Sequence, residues 1–257
     1  MLAGQKTLLS RTMHDVRYDP VHDEYFVTNP FARAILVFRG DAKDEDAPIR
    51  IIQGPHTLFP AIERLDLDTV HNEIYVSLWD AIAVYPMNAS GDVAPIRLIK
   101  GPDTQLKRER TLAVDPVNNV IVIARDTITA EQSTKKSEYA YMWIFNRTDD
   151  GNVKPKAKIG GPKSGIIRIN QIQMYPPKGR IIAAQPGAID MQEPEGVYIG
   201  VWSIHDNGDV PPRWKLSGSK SVMIKPRGVA IDPKHKEIIV ADMRLNAVLT
   251  YYFPEIF

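Results

Sequence analysis

Short apolar stretches, separated by turn-forming Asp, Pro, Asn and Gly, recur along the whole chain. In the first block the stretches 24–28, 34–38 and 49–53 are rich in Val, Ile, Tyr and Phe. These residue types favour β-strands, and their spacing lacks the 3.6-residue period of an amphipathic helix. With a further strand at 15–18, the pattern predicts a unit of four short strands in an all-β chain.

The four-strand unit is repeated five times. Each copy begins near an anchor residue and ends near a glycine. Four of the glycines precede the next anchor by 14 residues, as Gly54 precedes Asp68, and Gly4 precedes Asp19 by 15. Four antiparallel strands recurring every 45 to 60 residues are typical of a β-propeller blade. The predicted blades of this single domain are 12–54, 61–101, 108–161, 168–218, and 225–257 completed by 1–7.

The two ends of the chain predict how the propeller closes. The fifth block stops after its third strand, at 247–252, while Leu2, Ala3 and Gly4 match the segments that end the other blades. An open propeller would leave unpaired strand edges. We therefore expect a five-bladed β-propeller whose last blade is closed by the N-terminal strand, with residues 2–4 beside 247–252. The alternative is a fragment of a six-bladed ring.

The composition of the chain excludes several kinds of site and partner. The 257 residues include no cysteine, which excludes disulfides, thiolate nucleophiles and cysteine-ligated metals. The net charge of +1 does not favour nucleic acid as a partner. No apolar run reaches the roughly 18 residues of a membrane helix, and residues 1–12 lack the apolar core of a signal peptide. We expect a monomer that does not insert into a membrane and has no cofactor.

The fifth block carries a family resemblance. Residues 226–232, Pro-Arg-Gly-Val-Ala-Ile-Asp, followed by Val-Ala-Asp at 240–242, resemble an NHL-type repeat, and 88–97 resemble the bacterial branch of those repeats. The resemblance implies a propeller that serves as a binding platform and occasionally as an enzyme. Members of the bacterial branch are often exported, which implies a periplasmic or extracellular location as one possibility. The pair Trp79-Asp80 does not indicate a WD40 repeat, because it does not end a third strand.

Candidate binding residues follow from the repeat. One residue per blade, five positions before the anchor, is expected to face the mouth of the central channel, and three basic residues lie two positions earlier. Arginine binds carboxylate or phosphate through two parallel hydrogen bonds, so the set predicts an anion site. The alternative is that Glu63 and other acids neutralise the arginines as structural pairs. The predicted binding residues are His14, Glu63, Arg108, Arg110, Arg168, Asn170, Lys225 and Arg227.

Two long loops, 125–138 and 186–196, lie between the second and third strands of neighbouring blades. Loops of this length often serve as lids or docking surfaces, although a tolerated insertion is equally consistent with the sequence. His22, His71 and His235 recur at one turn position, which indicates a structural role and no metal site.

Two functional hypotheses follow. The favoured one is a non-catalytic binding or scaffold propeller that holds a protein, a peptide or a small anionic ligand at the channel mouth. The alternative is a hydrolase or lyase at the same mouth, with His14 or Glu63 as its base.

Overall fold

The computed structural model describes residues 1–11, 13–125, 140–187 and 196–257. Of the two long loops predicted at 125–138 and 186–196, residues 126–138 and 188–195 lie outside the described residues. None of the described helices exceeds a single 3-10 turn, so none has the length that crossing a membrane requires.

The described residues form five antiparallel sheets, and the fold is the predicted five-bladed β-propeller. Each sheet is a meander in which consecutive strands pair. The strands are β1 (Val16–Asp19), β2 (Glu24–Asn29), β3 (Ala34–Arg39) and β4 (Arg50–Ile52); β5 (Leu65–Asp68), β6 (Glu73–Ser77), β7 (Ala81–Pro86) and β8 (Arg97–Lys100); β9 (Glu109–Asp115), β10 (Val120–Arg125), β11 (Tyr141–Asn146) and β12 (Ala157–Ile159); β13 (Gln171–Tyr175), β14 (Arg180–Pro186), β15 (Val197–Ser203) and β16 (Trp214–Leu216); and β17 (Pro226–Asp232), β18 (Glu237–Asp242) and β19 (Ala247–Tyr252).

The chain divides into two compact units. The first contains Met1–Leu112 and Asp149–Val153, and the second contains Ala113–Thr148 and Lys154–Phe257. The first unit has a core in which the aliphatic residues of β3 and β7 are fully buried together with Phe26. Buried strands of this kind are held mainly by the removal of apolar area from water, at about 25 cal/mol per Å².

The second unit has two apolar clusters. In one, residues of β10, β11 and β14 pack around Trp202, whose side chain is 1% exposed. In the other, β14 and β15 pack against Val229, Ile238 and Val240 of the fifth sheet. The inner strands of this unit are therefore apolar on both faces, which accounts for their continuous runs of aliphatic residues.

The repeat glycine has a steric cause. Gly54 has φ = 143°, and a Cβ at this position would lie 2.3 Å from the Asp92 side chain. The Thr57 hydroxyl closes the turn by donating to the Gly54 carbonyl at 2.6 Å, and the Asp92 carboxylate accepts from the His56 amide at 2.7 Å. The constant 14-residue spacing therefore reflects a repeated turn that requires glycine at its start.

The N-terminal residues occupy a position that the repeat predicts in part. Leu2 forms a parallel bridge with Asp44, which matches the bridge that Ile52, at the end of a fourth strand, forms with Gly91. The fifth sheet has three strands among the described residues. The predicted pairing of residues 2–4 with 247–252 is not among its ladders and stays a prediction.

Candidate functional site

Three of the predicted binding residues form one cluster in the first unit. Glu63 lies between the other two, with Oε1 at 3.3 Å from Nη1 of Arg110 and Oε2 at 4.0 Å from Nδ1 of His14. The guanidinium of Arg110 is thus occupied by a carboxylate of the same chain. Here the structure favours the alternative that the sequence left open, an ion pair in place of an anion site.

The residues beside this cluster are paired in the same way. Asp15 is buried, and both Arg17 and Arg64 approach its carboxylate, at 3.4 and 3.6 Å. Arg17 also donates to Asp66 at 3.1 Å. Burial opposes the charge on Arg17, but the carboxylates of Asp15 and Asp66 outweigh it and raise the pKa of the guanidinium. This network joins β1 to β5, and the charges of its two arginines and two aspartates cancel.

The predicted binding residues of the second unit lie in or next to its strands and are buried or half-buried. Arg168 and Lys225 are buried, at 5% and 9% exposure. The amide of Lys225 donates to the Asp242 carboxylate at 2.8 Å, and the amide of Asn170 donates to the Ala184 carbonyl at 3.0 Å. Arg227 lies half-buried in β17. These positions have a structural part in their blades, and the anion site there stays a prediction.

Arg108 has different surroundings. It is exposed and lines a cavity of about 530 Å³ in the first unit. Leucine, proline and alanine make up most of the wall, and the Trp79 indole is 40% exposed. The polar part of the lining is small, which is usual for sites that bind small molecules. The lining residues are Leu58, Pro60, Leu78, Trp79, Asp80, Ala81, Leu98, Lys100, Leu106, Lys107 and Arg108.

The backbone places the indole and the guanidinium in this cavity. Leu78–Asp80 are the three residues that connect β6 to β7, and Trp79 has φ = 75°. Arg108, which precedes β9, has φ = 61°. Left-handed backbone is uncommon for residues with large side chains and costs free energy. The Glu109 amide donates to the Trp79 carbonyl at 2.9 Å and joins the two segments.

The charges around the cavity are mostly positive. Lys100 pairs with Asp80, with Nζ at 3.2 Å from Oδ2. In the part of the chain that the structure describes, Lys107 and Arg108 have no carboxylate within ion-pair distance. An apolar wall with two cations at its edge matches a ligand that joins an apolar or aromatic body to an anionic group.

Sequence reasoning found Arg108 and missed its neighbours. In the sequence Trp79 stands out only as part of the pair Trp79-Asp80, and Lys100 and Lys107 occupy no repeat position. The available signal was the short connection between β6 and β7, since a large aromatic residue in a three-residue turn has little room to be buried.

The recurring histidines have the predicted turn role. His22 Nδ1 lies 2.6 Å from the Asp19 carboxylate, and His71 and His235 pair in the same way with Asp68 and Asp232. Each aspartate also accepts from the amides of the turn. Asp232, His235 and Glu237 bring ligand-type atoms within 4.8 Å of one another. The aspartate and histidine of this group satisfy each other by the same turn hydrogen bond.

Comparison with known proteins supports the fold. No family model and no curated protein matches the chain. Among solved structures, hydrazine synthase of Kuenenia stuttgartiensis superposes with a TM-score of 0.62 at 11% identity, over 89% of this chain and 55% of that chain. The chain thus spans about half the length of this structural neighbour. A similarity at such low identity shows the β-propeller fold alone.

Proposed function

We propose that the protein is a non-catalytic binding propeller, of the kind that NHL-type repeats build, and that it holds a small anionic ligand in the cavity between Trp79 and Arg108. The observation that carries the proposal is the combination of an apolar wall with Lys107 and Arg108 at its edge. The volume of about 530 Å³ lies within the range of known small-molecule sites.

The chemistry of the wall defines the ligand class. The exposed indole of Trp79 and the leucine side chains favour a flat apolar or aromatic body. Arg108 can bind a carboxylate, sulfonate or phosphate through two hydrogen bonds, and Lys107 adds a second cation. The ligand is therefore an aromatic or aliphatic acid of moderate size.

Binding fits the structure better than catalysis does. His14 and Glu63, the candidate bases, lie in a cluster in which Glu63 is paired with Arg110. Neither lines the cavity beside Trp79. A general base must reach the proton that it removes, so this arrangement supports a site that recognises a ligand without transforming it.

A pair of matched probes tests the proposal. Isothermal titration with 1-naphthoate, and with its neutral counterpart 1-naphthamide, compares two ligands of nearly equal shape. We expect the carboxylate to bind about tenfold more tightly than the amide, because only the carboxylate gains charge-assisted hydrogen bonds. Trp79→Ala should weaken both ligands, since it removes the shared aromatic contact.

Arg33 provides the control for Arg108. Like Arg108 it is exposed and has a left-handed backbone, with φ = 52°, but it lies outside the cavity. Arg108→Gln should abolish the preference for the carboxylate, and Arg33→Gln should leave it unchanged. Equal affinity for the two probes in the unsubstituted protein would refute the anion site.

A further inference from the structure

A second cavity of the first unit has no part in the proposed function. Its volume is about 380 Å³, towards the lower end of the range of small-molecule sites, and it shares no lining residue with the cavity beside Trp79. Residues of the first and second blades form its wall. The first blade supplies His22, Glu24 and Arg50, and the second supplies Asn72, Pro86, Met87 and Asn88.

The two charged side chains of this cavity neutralise each other. Arg50 donates from its two terminal nitrogens to the two oxygens of Glu24, at 2.7 and 2.6 Å. Nη2 of Arg50 also donates to the Met87 carbonyl at 3.3 Å, which joins the two blades at the cavity. A charged ligand would lose hydration here without gaining an unpaired opposite charge. The wall therefore favours a neutral ligand.

Three uncharged polar groups are left for that ligand. The Asp19 carboxylate accepts from the amides of Val21 and His22 and lies 2.6 Å from Nδ1 of His22, so Nδ1 donates to it and Nε2 is left over. Among the described residues, the side-chain amides of Asn72 and Asn88 have no hydrogen-bond partner. A side-chain amide both donates and accepts, and a hydroxyl group has the same two capacities.

The third blade shows what Asn72 lacks. Asn119 has the equivalent turn position, with φ = 60° against 57° for Asn72. The Asn119 carbonyl accepts from the Arg147 amide at 2.9 Å, as the Asn72 carbonyl accepts from the Met87 amide at 2.8 Å. Nε of Arg147 donates to the side-chain oxygen of Asn119 at 3.1 Å. Met87 has no donor with which to do this, so the Asn72 amide stays available to a ligand.

We propose that this cavity binds a neutral polyhydroxylated ligand of the size of a single pyranose sugar. Its hydroxyl groups exchange hydrogen bonds with Asn72, Asn88 and Nε2 of His22, and its C–H groups pack on Pro86 and Met87. No phenylalanine, tyrosine or tryptophan is among the described residues that line the cavity. The wall thus offers no broad ring on which a flat aromatic ligand would stack, in contrast to the wall beside Trp79.

The probes are the methyl α-glycosides of glucose, mannose and galactose, which differ only in the orientation of ring hydroxyls. NMR spectra of the isotope-labelled full chain follow the side-chain amide signals of Asn72 and Asn88 during each titration. We expect at least one glycoside to bind about tenfold more tightly than cyclohexanol, which has a similar ring and one hydroxyl. Glucuronate should bind about tenfold more weakly than the best glycoside, because its charge finds no free partner.

Two substitutions test the wall. Asn72→Gly removes the amide and keeps a left-handed turn that glycine adopts without strain, so the variant should fold and bind about tenfold more weakly. Asn246→Gly is the matched control, because Asn246 is exposed, has φ = 51° and lies outside the cavity. Met87→Arg should place a guanidinium on Asn72, as Arg147 does on Asn119, and abolish binding.

Circular dichroism verifies the fold of each variant. The proposal is overturned if no glycoside binds more tightly than cyclohexanol, or if Asn72→Gly binds the best glycoside as tightly as the unsubstituted protein. An equal loss in Asn246→Gly would also overturn it. The affinity for 1-naphthoate reports on the cavity beside Trp79 and should be unchanged in Asn72→Gly, so the two sites succeed or fail separately.

Discussion

The amide of Glu109 donates to the carbonyl of Trp79 at 2.9 Å, and this single hydrogen bond joins the two segments that carry the indole and the guanidinium of the candidate site. Both neighbouring side chains extend from left-handed backbone, at Trp79 and Arg108. Residues in such conformations persist only where the surrounding structure enforces them, and they cluster at ligand sites.

Replacing Arg108 by glycine should therefore stabilise the protein and remove anion binding. Glycine adopts the left-handed backbone without the Cβ clash, so we expect a gain of about 1 kcal/mol in the free energy of unfolding. Urea denaturation measures the gain, and titration with 1-naphthoate measures the loss. Arg33→Gly should give a similar gain with unchanged binding, and a destabilised Arg108→Gly would contradict the backbone argument.

The Glu73–Arg97 pair should contribute to stability through its burial. Glu73 is 8% exposed and accepts two hydrogen bonds from Arg97, which raise the pKa of the guanidinium. Arg97→Met leaves the carboxylate without its partner and should cost about 3 kcal/mol. The double substitution Arg97→Met with Glu73→Met should recover much of that loss in urea denaturation. If the double variant is as unstable as Arg97→Met, the loss does not arise from the unpaired Glu73 carboxylate.

The Asp232–His235 pair predicts a pH dependence. The hydrogen bond between them raises the pKa of His235 and lowers that of Asp232. Because the pKa of His235 is raised on folding, the histidine stabilises the fold fully below pH 6.5. This stabilisation is lost as the pH rises through the folded-state pKa. The contribution of the lowered Asp232 pKa is complete above 3.8 and is lost as the pH falls through its folded-state value. The pair therefore stabilises the fold most between these limits.

An NMR titration of the histidine ring protons tests this pair. In Asp232→Asn the pKa of His235 should fall towards 6.5, because the charged partner is gone. If the pKa of His235 is the same in Asp232→Asn as in the unsubstituted protein, the hydrogen bond does not form in solution.

The repeat glycine gives a prediction with an internal control. Gly101 has φ = 135°, and a Cβ would lie 2.4 Å from the Asn152 side chain, whereas Gly151 has φ = 72° and open space around it. Gly101→Ala should cost about 3 kcal/mol, and Gly151→Ala about 1 kcal/mol from the backbone alone. Thermal unfolding of the two variants measures the difference, and equal costs would exclude the steric explanation.

Much of the fold could be predicted from the sequence because turn-forming residues recur at fixed positions of the repeat. The anchor Asp19 accepts from the amides of its turn, and Gly54 has a backbone that only glycine adopts easily. Both requirements are local, so aspartate recurs at four of the five anchors, with Tyr175 at the other, and glycine recurs at the end of each blade. The blade count and the strand order follow from this recurrence.

The site could be predicted only in part, because its residues lie far apart in sequence. The position of Arg110 in the repeat could be inferred, but its pairing with Glu63 depends on how β9 lies against the residues that precede β5. The cavity beside Trp79 depends on the left-handed backbone at Trp79 and Arg108, and no composition pattern marks such a conformation in these residue types. Periodicity identifies equivalent positions in the blades. It does not show which of these positions has different surroundings in space from the others.

The contact of β4 and β8 with the next blade has a consequence for folding during synthesis. Ile52 bridges Gly91, and Ile99 bridges Gly151, so the end of one blade depends on residues translated about 40 to 50 positions later. The bridge at the end of a fourth strand therefore cannot form until the third strand of the following blade has been synthesised. The apolar edge of the earlier blade stays open for that interval, and translation speed through each third strand should govern how much of the protein misassembles.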